Sequence, residues 1–218
     1  MEKDALIILS GGMDSVTLLH LRKEKIALAV SFNYGSRHNQ REIECASYQC
    51  NLLDIPHITI PLDFMEKYFK SSLLKNGENI PEGNYDEENM KSTVVPFRNG
   101  IMLSIACGIA ESHGLKKVMM ANHSGDHSIY PDCRPEFVRA MSEAMKQGTY
   151  LGVTLDAEFT DISKSEIAKI GERLGVAYQH TYSCYNGREK HCGKCGTCME
   201  RKEAFKYAGI IDPTEYEV

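Results

Sequence analysis

The chain has 218 residues, 42% of them hydrophobic and 25% charged, with a formal net charge of −5. This composition suits one compact domain with at most a small appendage, able to bury roughly 70% or more of its unfolded surface, and the acidic balance argues against a broad nucleic-acid footprint. No opening stretch reads as a secretory leader and no apolar run approaches the ~20 residues of a membrane span, so a cytoplasmic protein is expected. Eight cysteines in that compartment point to metal or catalysis rather than disulfides.

The first element is the apolar run Ala5–Leu9, read as a strand, and a helix is expected from Val16 to Lys23. Between them lies Ser10-Gly11-Gly12-Met13-Asp14-Ser15. Strand, glycine pair and helix start together make an anion site, because unpaired N–H groups and the helix dipole converge there. Gly11 and Gly12 can take positive φ and let backbone approach a ligand. The lysine of a Walker A loop is missing, as is the GxGxxG pattern. Asp14 within the loop would repel phosphate unless a cation bridges them, which implies Mg²⁺.

Ala27–Phe32 reads as a second strand, Arg37–Leu53 as a helix with Ile43, Ala46 and Cys50 on its apolar face, and Ile58–Ile60 as a third strand. The stretch 76–91 carries Glu78, Glu82, Asp86, Glu87 and Glu88 among Gly77, Pro81 and Gly83. It is either a solvated loop or a lid over substrate. A helix is expected over Asn99–His113, capped by Asn99 or Gly100. Arg98 just before it either grips a carboxylate or phosphate, or makes a surface salt bridge.

Lys117–Ala121 is a further strand, followed by the polar run Gly125–Arg134 with Asp126, His127 and Asp132. Either aspartate could meet Mg²⁺ or purine donors. His127 is an acid–base group or a satisfied loop histidine. Pro135–Gln147 opens with proline as a helix should, Val153–Phe159 is a strand, and Ser163–Glu166 is a capping box for a helix to about Leu174. Lys164, at that helix start, either neutralises phosphate or is solvated. The alternation predicts a Rossmann-like parallel sheet flanked by helices, with ligand at the carboxyl ends of the strands.

Cys184, Cys192, Cys195 and Cys198 form C-x7-C-x2-C-x2-C. Four thiolates within fifteen residues suit a closed tetrahedral Zn²⁺ site, with an iron–sulfur cluster as the competing occupant. Gly187, Gly193 and Gly196 are expected to supply the turns, and His191 is a spare ligand. The site should anchor a helix around Glu200–Tyr207. Cys45, Cys50 and Cys107 fall in helical patterns and read as core.

The hexapeptide resembles the SGGxDS signature of the PP-loop ATP pyrophosphatases, whose fold is adenine nucleotide alpha hydrolase-like. Phe32-Asn33-Tyr34-Gly35-Ser36-Arg37-His38, Val95-Pro96-Phe97-Arg98-Asn99, Tyr130-Pro131-Asp132-Cys133-Arg134 and Ser183-Cys184-Tyr185-Asn186-Gly187 follow in order. With the later cysteines, nearly the whole chain resembles the QueC family of queuosine biosynthesis. The resemblance implies an ATP-dependent carbon–nitrogen ligase. It would convert 7-carboxy-7-deazaguanine and ammonia to 7-cyano-7-deazaguanine through an adenylated carboxylate and an amide. It further implies ATP, Mg²⁺ and one structural Zn²⁺, a homodimer, and no direct nucleic-acid partner.

Carried onto this sequence, the ATP site would comprise Leu9, Ser10, Gly11, Gly12, Met13, Asp14, Ser15, Val16, Thr17, Leu18 and Leu19. The metal ligands would be the four clustered cysteines, and Arg98, Asp132 and Lys164 would be the substrate or phosphate contacts. Residues 1–180 would form the ATP-binding α/β part and 181–218 the zinc segment with the last helix. The chain departs from the family pattern at Phe97, where others resemble glycine, and at Asp126–Ile129. Those positions bear on whether the product is the nitrile. The alternatives are a paralogue that stops at the amide or conjugates another amine, a PP-loop enzyme acting on tRNA, and a zinc-binding interaction module with a vestigial loop.

Overall fold

The computed structural model describes residues 3–83 and 88–218. Five strands, β1 (Ala5–Ile8), β2 (Ile26–Asn33), β3 (His57–Pro61), β4 (Lys117–Met119) and β5 (Thr154–Asp156), form one parallel sheet in the order β3-β2-β1-β4-β5. Seven α-helices accompany it among the described residues: α1 (Met13–Arg22), α2 (Asn39–Leu53), α3 (Asp63–Tyr68), α4 (Arg98–Ser112), α5 (Pro135–Gln147), α6 (Lys164–Leu174) and α7 (Gly196–Ala208). The Rossmann-like parallel architecture expected from the sequence is what forms.

Strand periodicity divides the core. Leu6, Val30, Phe32 and Val118 join Leu103, Ala106 and Ala110 of α4 on one face of the sheet. Ala5, Ile7, Ala29 and Met119 join Val16 and Leu19 of α1, Ile167 of α6 and Phe205 of α7 on the other. Neighbouring strand residues point to opposite faces, so both faces are buried and the central strands are apolar throughout, as a covered parallel sheet requires. The stretch Met90–Ser112 has a mean hydropathy of 1.4 in its most apolar window and enough length to cross a membrane by composition, which the sequence reading had not expected. In the fold it is broken at Pro96–Phe97, and α4 sets Met102, Leu103, Ala106 and Ala110 into the core.

Several boundaries differ from expectation for local reasons. Helix α1 begins at Met13, three residues early, on Gly12 as its N-cap. Helix α2 begins at Asn39 rather than Arg37. The Asn39 side chain accepts from the N–H groups of Tyr34 and Ser36, both at 3.0 Å, and donates to the Phe32 carbonyl, so it closes the preceding loop. Strand β5 ends at Asp156 because Ala157–Ile162 turns on itself through Thr160 and Ile162 N–H bonds. The N-cap of α4 is Phe97, not Asn99 or Gly100, and it sits at φ +52° in the left-handed region. Glycine adopts that conformation freely and phenylalanine rarely does, so the backbone at Phe97 is strained. The Phe97 ring then folds over Gly100, where an added Cβ would meet it at 2.4 Å. The Ser163–Glu166 capping box at α6 forms as read.

The strand order reverses between β1 and β4, which makes their carboxyl ends the topological switch point where ligands of such sheets bind. Gly11 lies there at φ +91°, and a Cβ on it would come within 2.1 Å of the Glu42 carbonyl oxygen. The loop and α2 therefore touch backbone to backbone. Gly11→Ala should destabilise the fold by on the order of 3 kcal/mol, read as a lowered midpoint in urea unfolding. An unchanged midpoint would show that the loop and α2 part without cost.

Candidate active site

At the switch point a cleft of about 220 Å³ opens between the loop after β1 and the segments after β2 and β4. Leu9, Ser10, Gly12, Met13, Asp14 and Ser15 line one side. Ser10 Oγ accepts from Gly12 N at 3.1 Å and lies 2.9 Å from Ser15 Oγ, while Ser15 donates to the Gly12 carbonyl at 3.2 Å. These bonds brace the loop. Gly12 brings no side-chain cap to α1, which leaves the first turn of the helix and its positive dipole end facing the cleft.

The rest of the expected ATP set behaves differently. Val16, Leu18 and Leu19 are buried among the core residues beneath α1. The Thr17 hydroxyl is held by the Met13 carbonyl at 2.7 Å and Tyr178 OH at 2.9 Å. These four pack away from the cleft, whose lining within the expected set is Leu9, Ser10, Gly12, Met13, Asp14 and Ser15.

Lys164 and Arg98 both reach the cleft from helix N-termini. Lys164 Nζ is 3.1 Å from Asp14 Oδ2, 2.6 Å from Glu200 Oε2 on α7 and 3.3 Å from His123 Nε2. Burial opposes its charge, but Asp14, Glu200 and Asp126 overcome that and raise its pKa above the usual lysine range. It is therefore a fixed cation beside the loop rather than a solvated lysine. His123 is held in turn by Glu200 at 3.4 Å and Asp126 at 3.6 Å. The other oxygen of Asp14 is buried with no hydrogen-bond partner among the described residues.

Arg98 faces the opposite wall. Its Nη1 donates to Tyr34 OH at 3.3 Å and its guanidinium carbon lies 5.6 Å from the Tyr34 ring centre. Tyr130 OH and Tyr185 OH meet at 2.9 Å close by, and Tyr130 also reaches Thr93 at 2.9 Å. Burial raises the pKa of Tyr34 and Tyr130, so the phenols remain neutral hydrogen-bonding groups around a permanent cation. Asp132 lies outside the cleft lining: its Oδ2 accepts from Asn99 N at 2.8 Å and caps α4. It supports Arg98 from behind through its charge. Asp126 is similarly engaged, accepting from His123 N at 3.1 Å, and His127 is not part of the cleft lining.

Two groups at the cleft were given no role from the sequence, although His38 ends the stretch Phe32–His38 quoted for the resemblance. Burial and the Arg98 charge lower the His38 pKa to about 4, so the ring is neutral. Burial raises the Glu42 pKa to about 8, against the pull of Arg98. Glu42 was one acid among many on a helix, and its burial arises where α2 packs against the loop at Gly11 and faces Arg98 across the cleft. The contacts of Lys164 with His123 and Glu200, 41 and 36 residues away, were equally invisible locally.

The four cysteines converge. Their sulfurs all lie within 4.8 Å of one another and all four residues are buried. Cys192 and Cys198 sulfurs are 4.0 Å apart, close to the ~3.8 Å edge of a tetrahedron with zinc–sulfur bonds of about 2.3 Å. Donors surround them: Cys192 N reaches Cys184 Sγ and Cys195 N reaches Cys192 Sγ, both at 3.3 Å, and Asn186 Nδ2 reaches Cys192 Sγ at 3.3 Å. The donor set fits a zinc site. His191 stays outside it, accepting from Ser183 N at 3.0 Å. Gly187 and Gly193 supply turns at positive φ, whereas Gly196 opens α7 instead. Cys50 and Cys107 are buried as expected and Cys45 is half-buried.

The described part of the acidic segment runs against this knot. Gly83 N donates to the Lys194 carbonyl at 3.2 Å, Glu82 bridges to Cys195, and Arg37 holds the Gly77 carbonyl at 2.8 Å. Residues 84–87, on which the lid expectation also rests, lie outside the described residues.

The profile of queuosine biosynthesis protein QueC matches residues 4–209. The chain belongs to the QueC family. Among its relatives, a 7-cyano-7-deazaguanine synthase of Porphyromonas gingivalis strain ATCC 33277 is 60% identical over 216 residues, 99% of this chain and 98% of the relative. Another so named, of Desulfotalea psychrophila, is 50% identical over 217 residues, 99% of each chain. The solved NMN synthetase of Francisella tularensis aligns with a TM-score of 0.53 at 14% identity, covering 96% of this chain and 78% of that one, and shows a shared fold. Within this QueC chain, the braced loop, Lys164 and Arg98 share one cleft.

Proposed function

We propose that the chain is an ATP-dependent ligase that converts 7-carboxy-7-deazaguanine and ammonia to 7-cyano-7-deazaguanine, through an adenylated carboxylate and then an amide. The observation that carries this reading is a single cleft with a phosphate-type helix end on one wall and a caged arginine on the other. A carboxylate is a poor electrophile, and adenylation gives its carbon a leaving group. That chemistry asks for positioning and charge stabilisation rather than a covalent nucleophile.

Ser10, Gly11, Gly12 and Ser15 would cradle the phosphates of ATP through backbone N–H groups and hydroxyls. Lys164 would neutralise charge developing on the departing pyrophosphate. Asp14 would hold Mg²⁺ through its unpartnered oxygen, the metal supplying charge neutralisation across the phosphates. Arg98 would grip the substrate carboxylate bidentately, with Asp132 fixing its helix. Activation of the amide oxygen at the same place permits the second dehydration to the nitrile.

Zn²⁺ would fill the cysteine knot as a structural ion. The chain would work in the cytoplasm, as a homodimer, with free ammonia and without direct nucleic-acid contact. The test is turnover with Mg-ATP, ammonium and 7-carboxy-7-deazaguanine, read by mass. Nitrile formed together with AMP is the expected result. Amide alone would place this chain among the paralogues, and no ATP consumption would remove the ligase reading.

A further inference from the structure

Three carboxylates line the cleft: Asp14, Glu42 and Asp126. Asp14 is paired with Lys164, and Asp126 closes the turn at His123. Glu42 has no such commitment. Its carboxylate lies 3.7 Å from His38 Nε2, and that ring is neutral. Its place is also distinctive. The Glu42 turn of α2 abuts Gly11 of the phosphate loop, while its carboxyl feels Arg98 on the far wall. On the ligase reading, on which this inference rests, the activated carbon must lie between those two walls.

We infer that Glu42 is the proton acceptor for the nitrogen nucleophile, taking a proton from ammonium beside the activated carboxylate. Ammonium is almost wholly protonated at neutral pH and has no lone pair to attack with. Proton transfer to the Glu42 carboxylate frees the pair. The carbon–nitrogen bond forms, the bond from carbon to the adenylate oxygen breaks, and that electron pair leaves on AMP. The second surplus proton on nitrogen departs with the AMP phosphate, and no group is oxidised or reduced. The groups facing Glu42 are His38 and Tyr34 from the segment before α2, Arg98 from α4 and Cys45 one turn on. None of them is a competing base near neutral pH: His38 titrates near 4, burial puts the Cys45 thiol near 11, and burial raises Tyr34 above the usual phenol range. A base titrating near 8 suits the task, because general-base catalysis is strongest when the pKa lies near the working pH.

The experiment compares wild type with Glu42→Gln and Glu42→Asp in three measurements. These are carboxylate-dependent ATP–pyrophosphate exchange, amide formation from ammonium, and hydroxamate formation from hydroxylamine, which enters already deprotonated. In Glu42→Gln, exchange and hydroxamate formation should stay within about threefold of wild type, while the ammonium reaction falls by roughly 100-fold. Glu42→Asp, which keeps the base but shortens it, should recover part of that loss. The ammonium reaction of wild type should rise with pH through about 8 more steeply than in Glu42→Gln. Equal losses with both nucleophiles, or no recovery in Glu42→Asp, would overturn the role. Absence of exchange in wild type would instead overturn the adenylation reading, and the Glu42 role with it.

Discussion

Stripping metal from the cysteine knot will unfold the C-terminal part of this chain and abolish turnover. Zinc binding to such a set contributes on the order of 10 kcal/mol to folding the segment that carries it, comparable with the whole stability of a typical domain. The knot holds the first turn of α7, and α7 holds more than itself. Arg201 is fully buried and binds Thr181, Ser183 and the Tyr178 carbonyl at 2.9 to 3.1 Å, with Asp212 at 3.5 Å. Phe205 enters the core beneath the sheet. The expected result of a chelator titration is loss of one zinc per chain, with far-UV ellipticity and turnover falling together. Cys198→Ser should do the same without chelator. Full activity and an unshifted thermal midpoint after zinc loss would contradict it.

Arg98→Ala should lower kcat/KM for the deazapurine carboxylate by roughly 10²- to 10³-fold, the range seen when one preorganised charge-stabilising donor is removed. The KM for ATP should change little, because Lys164 and the loop on the other wall are untouched. Arg98→Lys should rescue poorly. A lysine keeps the charge but loses the planar fork and the stacking on Tyr34. Initial rates with each substrate varied in turn make the measurement, and wild-type kinetics in Arg98→Ala would remove the residue from the site.

What could be read from the linear chain follows the range of the forces involved. The α6 capping box and the proline start of α5 are set by residues within one turn of each other and form as expected, whereas α1 starts inside the loop and only Gly11 of its glycine pair takes positive φ. The cysteine knot was legible because four ligands lie within fifteen residues. Phe97 was noticed as an odd residue, but its left-handed backbone was not readable. Glu42 was missed because its chemistry comes from burial, and burial is a property of the packed chain. Part of the expected nucleotide set lies in the core for a related reason. A motif marks where a helix begins, but the helical period turns Val16, Leu18 and Leu19 toward the core.

The salt link from Glu200 to Lys164 also sets an order of assembly. The loop after β1 is made within the first fifteen residues, yet the lysine beside it is held by a side chain near residue 200. Ser183 and Thr197 complete the same wall. During synthesis, a ribosome-bound chain holding the loop and both faces of β1 still lacks the clamp on Lys164 and the far edge of the cleft. The cleft is therefore complete only after residue 200 has emerged and the segment carrying the four cysteines has folded against it.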